Sequence, residues 1–182
     1  MPSWRSSCKS VAKKEKNFIM EVFAKPCVGA IIERVVDGVP CILMQTRQKE
    51  GGDDTNGKLE IPAGKVREYE CVYDALRREV MEETGLTLTA IMGEPEAKPA
   101  EVAGNLTVSF TPYCTTQNLC GAYSILLHTF LCCAEGEPLT STDETQNIAW
   151  MSVDMLRERL SKYPEDFFFM HVFALRKYLG IL

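Results

Sequence analysis

Apolar positions along this chain follow two rhythms, alternation over short runs and a three-to-four residue spacing over longer ones. Lys25 to Glu33 and Val39 to Thr46 are strand-like runs joined around Asp37-Gly38, a pair suited to a tight hairpin. Gln48 to Gly57 breaks the pattern with Gly, Asp and Lys and predicts a loop. A short strand from Leu59 to Ile61 then meets Pro62, and Ala63-Gly64 reads as a turn leading into a helix with Val72, Ala75 and Leu76 on its apolar side. Beyond the helix, Leu88 to Met92, Val102 to Phe110 and Ala122 to Ala134 are predicted strands. The polar stretch Thr111 to Gly121 between the last two is predicted as a long, flexible connection. Ile148 to Met151 forms a further strand, and Ser152 can cap a helix reaching about Lys162. A final helix is expected after Pro164, with Phe168, His171, Val172, Leu175 and Leu179 at helical spacing. Periodicity alone yields a mixed α and β domain over 21–182, preceded by a polar arm over 1–20 that is either flexible or packs on a partner.

Composition narrows the class. A chain of 182 residues suits one domain with a sizeable core. A net charge of -5 argues against a nucleic-acid scaffold. No apolar run has the length of a membrane span, and no apolar segment follows the basic N-terminal residues as a signal peptide requires. The eight cysteines are scattered, form no CxxC pair and lie mostly in apolar segments, which predicts reduced thiols in a cytoplasmic protein. With two histidines and no cysteine pair at ligand spacing, zinc is not expected.

The chemistry concentrates in the helix. At about 100° per residue, Glu79 and Glu83 fall on the side of Val72 and Leu76, Glu82 lies on the flank near Ala75, and Asp74 and Met81 point away. An acid-rich helix is ordinarily a solvated face. Carboxylates on the inward side are costly unless a positive charge meets them, and like charges four residues apart repel. A divalent cation resolves both costs, since Mg²⁺ prefers carboxylate oxygens, water and substrate phosphates. Gly85 is placed to end this helix in the left-handed conformation.

Written as a spacing, the stretch is Gly64, five residues, Glu70, seven residues, then Arg78-Glu79-Val80-x-Glu82-Glu83-x-Gly85-Leu86. It resembles the signature of Nudix pyrophosphohydrolases at every fixed position. That resemblance implies an α/β/α sandwich with a mixed β-sheet. It also implies a Mg²⁺-dependent hydrolase, with Mn²⁺ able to substitute, in which Glu79, Glu82 and Glu83 bind metal and a main-chain carbonyl near Ala63 or Gly64 completes the shell. Glu82 and Glu83 are then catalytic as well. Arg78 would bridge Glu70 and Glu79, holding a carboxylate in place, with Glu70 mainly architectural.

The stretch Leu59-Glu60-Ile61-Pro62-Ala63-Gly64-Lys65 resembles the E-x-P-A-G form common among ADP-ribose and nucleoside-sugar pyrophosphatases, whereas many triphosphate-cleaving relatives carry P-G-G there. The implied substrate is a nucleoside diphosphate linked to another group. The alternatives are a nucleoside triphosphate and a catalytically silent nucleotide-sensing module. Arg47, Glu60 and Lys65 are candidate substrate-binding residues, and Phe23, Tyr113, Tyr123 and Phe168 are candidates for stacking on a base. Many relatives take their general base from a loop before a late strand, which places Glu144 in that role, with Asp143 as substitute. Several sugar-diphosphate relatives are dimers sharing the site, so a homodimer is an expected assembly.

Overall fold

The computed structural model describes residues 21–48 and 54–182, so the N-terminal arm and the middle of the 48–57 loop lie outside the described residues. Two long strands, β1 (Lys25–Val36) and β2 (Val39–Arg47), form the predicted hairpin. Asp37 and Gly38 both have positive φ, 50° and 81°, which matches the twist of a two-residue hairpin turn. The helix α1 spans Val72–Thr84, followed by β5 (Thr87–Ile91), β9 (Ile125–Glu135), β10 (Thr145–Ser152), α2 (Val153–Lys162) and α3 (Phe169–Leu179). The main sheet runs β10-β2-β1-β9-β5. It is mixed, because β1 and β9 pair in parallel while β2, β5 and β10 pair antiparallel to their neighbours.

Residues 59–65 enter the middle of this sheet. β1 and β2 pair with each other only at the hairpin end, from Glu33↔Ile42 to Val36↔Val39. Further along, β2 pairs with β3 (Leu59–Glu60) and β1 with β4 (Ala63–Lys65). Ala63-Gly64 is therefore a short strand rather than the expected turn. Pro62, which has no N–H to give, still accepts from Ala30 through its carbonyl and breaks the run. This wedge sets Glu60, Ala63 and Gly64 at the centre of the sheet's splayed end.

Both faces of the sheet are covered. Val28, Ala30 and Ile32 of β1 pack with Val72, Leu76 and Val80 of α1, while Ile31 packs with Leu156, Leu160 and Leu175 of α2 and α3. Alternate residues of one strand thus feed two cores, which is why β1 reads as an unbroken apolar run. Each fully buried Leu or Val of this kind contributes roughly 1.5–3 kcal/mol. The ends of the helices follow their expected chemistry. Gly85, at φ 74°, donates its N–H to the Met81 carbonyl, and the Ser152 hydroxyl accepts from the Met155 N–H at 3.2 Å.

Two expected elements differ. Val102 to Phe110 is no single strand: β6 (Pro99–Val102) and β7 (Asn105–Val108) form a separate hairpin, turning at Ala103-Gly104 with both φ positive. The weak alternation there reflects strands whose side chains are mostly exposed. Within the expected connection Thr111 to Gly121, β8 (Cys114–Gln117) pairs with β9 and buries Cys114. Its four residues are largely polar because only Cys114 reaches a core. The seven described cysteines are all free thiols.

Tyr69, like Asp37, Ala103 and Asn147, carries a side chain at positive φ. It sits at φ 59° with its side chain 99% exposed, in a turn closed by the Glu70 N–H on the Arg67 carbonyl. A left-handed conformation costs a residue with a Cβ roughly 1–2 kcal/mol, and glycine escapes that cost but gives up roughly 0.5–1 kcal/mol through the unfolded chain. Tyr69→Gly should therefore stabilise the fold by about 0.5–1 kcal/mol. Chemical denaturation checks this, and a loss of stability would show that Tyr69 makes a contact worth more than its strain.

Candidate active site

The metal-helix prediction places Glu83 on the inward face, and it lies there, 5% exposed. Its Oε2 accepts from Gln45 Nε2 at 2.8 Å and from the Ala63 N–H at 3.0 Å, tying α1 to both β2 and β4. The Thr145 hydroxyl, from β10, donates to the Glu83 carbonyl at 3.2 Å. Sequence reading missed Gln45 and Thr145. The available signal was a polar residue closing the apolar run Cys41-Ile-Leu-Met, since an inward amide in a strand needs a partner.

Arg78 organises the outer half of the helix. Its Nε and Nη2 donate to the two oxygens of Glu70 at 2.7 and 2.8 Å. Nη1 donates to Glu79 at 2.6 Å and to Glu82 at 3.2 Å, and Nη2 also reaches the Lys65 carbonyl at 3.0 Å. The bridge from Glu70 to Glu79 is thus present in the geometry, with β4 tied in as well. Arg78, foremost, and the Arg67 N–H hold the Glu70 carboxyl down at about 2, against the opposing effect of burial. Reciprocally, Glu70 and Glu79 raise the Arg78 guanidinium above its already high value.

Gly64 faces Glu79. A Cβ on Gly64 would overlap the Glu79 carboxylate, so the glycine makes the space that this side chain fills. Because Arg78 grips the same carboxylate, the clash cannot be relieved without breaking that contact. Gly64→Ala is expected to fold and to lose most hydrolytic activity. Thermal melting beside steady-state kinetics checks this, and wild-type turnover would mean that the Glu79 position is unimportant.

A cleft of about 600 Å³ opens over Gly64, Arg78 and Glu79, with the buried Glu83 behind its lining rather than in it. Its lining combines a charged group about Arg78 (Gly64, Lys65, Arg67, Glu79 and Glu82) and Glu144 with a group about Phe168 (Tyr123, Ile125, Leu127, Met170 and His171). Arg47 and Glu60 also line it, paired at 3.3 Å and both largely buried. Arg47 also donates to Thr55 at 2.9 Å and to the Tyr123 hydroxyl at 3.4 Å, with its guanidinium 4.5 Å from the Phe168 ring centre. Of the four aromatic candidates, Tyr123 and Phe168 line the cleft. Tyr113 instead packs beside the α2–α3 core and takes the Lys177 ammonium on its ring, while Phe23 is exposed outside the cleft. Cys27 is also in the lining, but burial pushes its thiol up despite Lys65, which disqualifies it as a thiolate nucleophile at neutral pH.

The oxygen-only donor set of Glu79, Glu82, Glu83 and the chain at Ala63-Gly64 suits Mg²⁺ chemically. Among the described residues no three acidic, histidine or cysteine side chains already converge on one point, because the Arg78 cation stands among Glu70, Glu79 and Glu82. Glu82 lines the cleft with half of its side chain exposed, and pairs there with both Arg78 and Arg67. No described helix is long and apolar enough to cross a membrane.

Comparison with known proteins agrees with this geometry. No curated protein matches the chain in sequence. A MutT Nudix hydrolase from Burkholderia pseudomallei is 25% identical, with 71% of this chain and 84% of that one covered and a TM-score of 0.50. The NUDIX domain of Shewanella oneidensis NrtR, solved with ADP-ribose, has the same fold at 14% identity, 88% and 89% coverage and a TM-score of 0.61. A C. elegans Ap4A hydrolase in binary complex is 16% identical, with 86% and 96% covered and a TM-score of 0.50. The family model for the NUDIX domain matches residues 24–171, nearly the whole described fold and every residue of the cleft, and the chain belongs to the Nudix family of hydrolases.

Proposed function

We propose that this Nudix protein hydrolyses a nucleoside diphosphate linked to another group, ADP-ribose or a nucleotide sugar, by attack of water on one phosphorus. The observation that carries the reading is one cleft lined both by the acidic helix with its neighbouring cations and by two aromatic rings. The first group suits a pyrophosphate and the second a nucleoside. The E-x-P-A-G stretch lies at the centre of that cleft, with Glu60 and Ala63 in its lining. The NrtR domain, solved with ADP-ribose, shows that this fold can hold such a ligand.

Glu79, Glu82 and Glu83, with the chain at Ala63-Gly64, are the residues to hold Mg²⁺. When bound it neutralises phosphate charge and acidifies the attacking water. Lys65 and Arg67 offer further positive charge to the phosphates. Glu144, on the loop before β10 and in the cleft lining, accepts the proton from the water. The oxygen joining the two phosphorus atoms leaves with the second phosphate, so ADP-ribose would give AMP and ribose 5-phosphate. Positioning and charge carry most of the acceleration in such reactions.

The second reading is a nucleoside triphosphate substrate, whose phosphates the Lys65 and Arg67 cations of the cleft would meet equally well. A hydrolysis screen with Mg²⁺ separates the two, covering ADP-ribose, nucleotide sugars, dinucleoside polyphosphates and nucleoside triphosphates. Preference for a triphosphate would overturn the diphosphate reading. Binding without any cleavage would point to a nucleotide-sensing module. Glu144→Gln should lower kcat by about 10²–10⁴-fold, the range of one general base, with little change in KM. Undiminished turnover would remove Glu144 from the mechanism.

A further inference from the structure

His171, at the start of α3, lines the cleft beside Phe168 and is 1% exposed. Among the described residues neither Nδ1 nor Nε2 has a hydrogen-bond partner. Buried polar atoms in folded proteins are nearly always paired, so two orphaned nitrogens on one ring call for an explanation. Packing supplies none. The ring stands 5.4 Å from that of Phe168 and near the small apolar group of Cys27, Leu127, Phe168 and Met170, where an apolar side chain would fill space without an unpaired polar atom. The cleft is where a partner can come from.

The chemistry of that partner is constrained. Burial, and after it the neighbouring Arg47 cation, holds the imidazole pKa down at about 3, so the ring is neutral at physiological pH. A neutral imidazole offers one donor and one acceptor and no charge for a phosphate. Beside it stand two aromatic rings, Tyr123 and Phe168, meeting edge to face at 5.9 Å. The complementary ligand is a flat ring with apolar faces and a neutral polar edge, which describes a nucleobase.

We propose that His171 is a specificity-determining residue of the cleft, hydrogen-bonding the polar edge of a nucleobase held against Phe168 and Tyr123. This rests on the nucleotide reading of the site, and adds which side chains take the base and which of them recognises its edge. It also accounts for a residue that a purely structural role would not select: the orphaned ring is tolerated because the bound nucleotide pairs it.

Equilibrium binding tests it without turnover. The probes are AMP, GMP, CMP and UMP, and ribose 5-phosphate as the base-free control, titrated calorimetrically into wild type, His171→Phe and His171→Gln. Wild type is expected to bind at least one nucleoside monophosphate at least tenfold more tightly than ribose 5-phosphate. His171→Phe should reduce that advantage about three- to tenfold, the range of one neutral hydrogen bond, and leave ribose 5-phosphate unchanged. His171→Gln, which keeps a donor and an acceptor, should recover part of it. An unchanged advantage in His171→Phe, equal losses for both kinds of ligand, or no preference for a base in wild type would each overturn the proposal. The His171→Phe melting temperature should stay within a few degrees of wild type, because the orphaned atoms are gone and only ring bulk is added. A fall of roughly 10 °C or more that His171→Gln reverses would mean that the nitrogens are paired within the protein, and would sink the premise. Cleavage of diphosphates without base preference defeats this inference alone. Base preference without cleavage defeats only the hydrolytic reading.

Discussion

Glu83→Gln is expected to reduce hydrolysis on the order of 10²–10³-fold, as removal of a single charge-stabilising group typically does, while the protein stays folded. The amide oxygen can still accept from Gln45 Nε2 and from the Ala63 N–H, so the links from α1 to β2 and β4 survive. What disappears is the negative charge, which matters far more to holding a divalent cation than to accepting a hydrogen bond. Steady-state kinetics at saturating Mg²⁺, with the melting temperature as a fold control, decides the matter. Near wild-type turnover would reduce Glu83 to a structural acceptor. A collapse in stability with lost activity would show that its charge serves the fold first.

Arg78→Ala is expected to lower stability by about 2–3 kcal/mol, the upper range for hydrogen bonds to charged groups, because the network is partly rather than fully buried. The side chains of Glu70 and Glu79 are about as buried as that of Arg78, and both would lose their main cation. For a chain of this size the corresponding fall in melting temperature is roughly 10 °C. Arg78→Lys should recover only part, because a single ammonium cannot span Glu70, Glu79 and the Lys65 carbonyl together. The same network makes a pH prediction. Arg78 holds the Glu70 carboxyl down at about 2, below its value in the unfolded chain. The stability this brings is complete above the ordinary glutamate range and is lost as pH falls from about 4.5 toward 2. Denaturation of wild type across that window should show the loss, and Arg78→Ala should show less of it. Parallel acid limbs in the two proteins would rule out Arg78 as the cause.

The acid helix was legible before any coordinates because its chemistry is local. Glu79, Glu82, Glu83 and Gly85 belong to one continuous segment, and a helix of known pitch places them relative to Val72 and Leu76 without further information. The long strands were legible for a related reason: burial on both faces of β1 leaves an apolar run that little else produces. Where burial was slight, the sequence was quiet. β8 presents one buried side chain in four, and the β6–β7 hairpin almost none, so alternation had nothing to report. The Ala103-Gly104 turn was the overlooked cue.

The sequence by itself determined the acidic helix, the long strands and the later helices, because each follows from spacing within a segment, and the signature carried the family resemblance with the Arg78 bridge it implies. Only the tertiary structure decided which residues from distant segments share the cleft. It brought Glu144, Tyr123, Phe168 and His171 to the helix and left Tyr113 and Phe23 out. It turned Ala63-Gly64 from a turn into a strand wedged between β1 and β2, and gave Glu83 its partners on Gln45 and Ala63. The physical reason is that apolar side chains at similar spacing look alike along the chain. Whether Phe168 fills a core or faces a cavity depends on strands more than 40 residues away, through pairings such as Lys25↔Ile125 that no local pattern encodes.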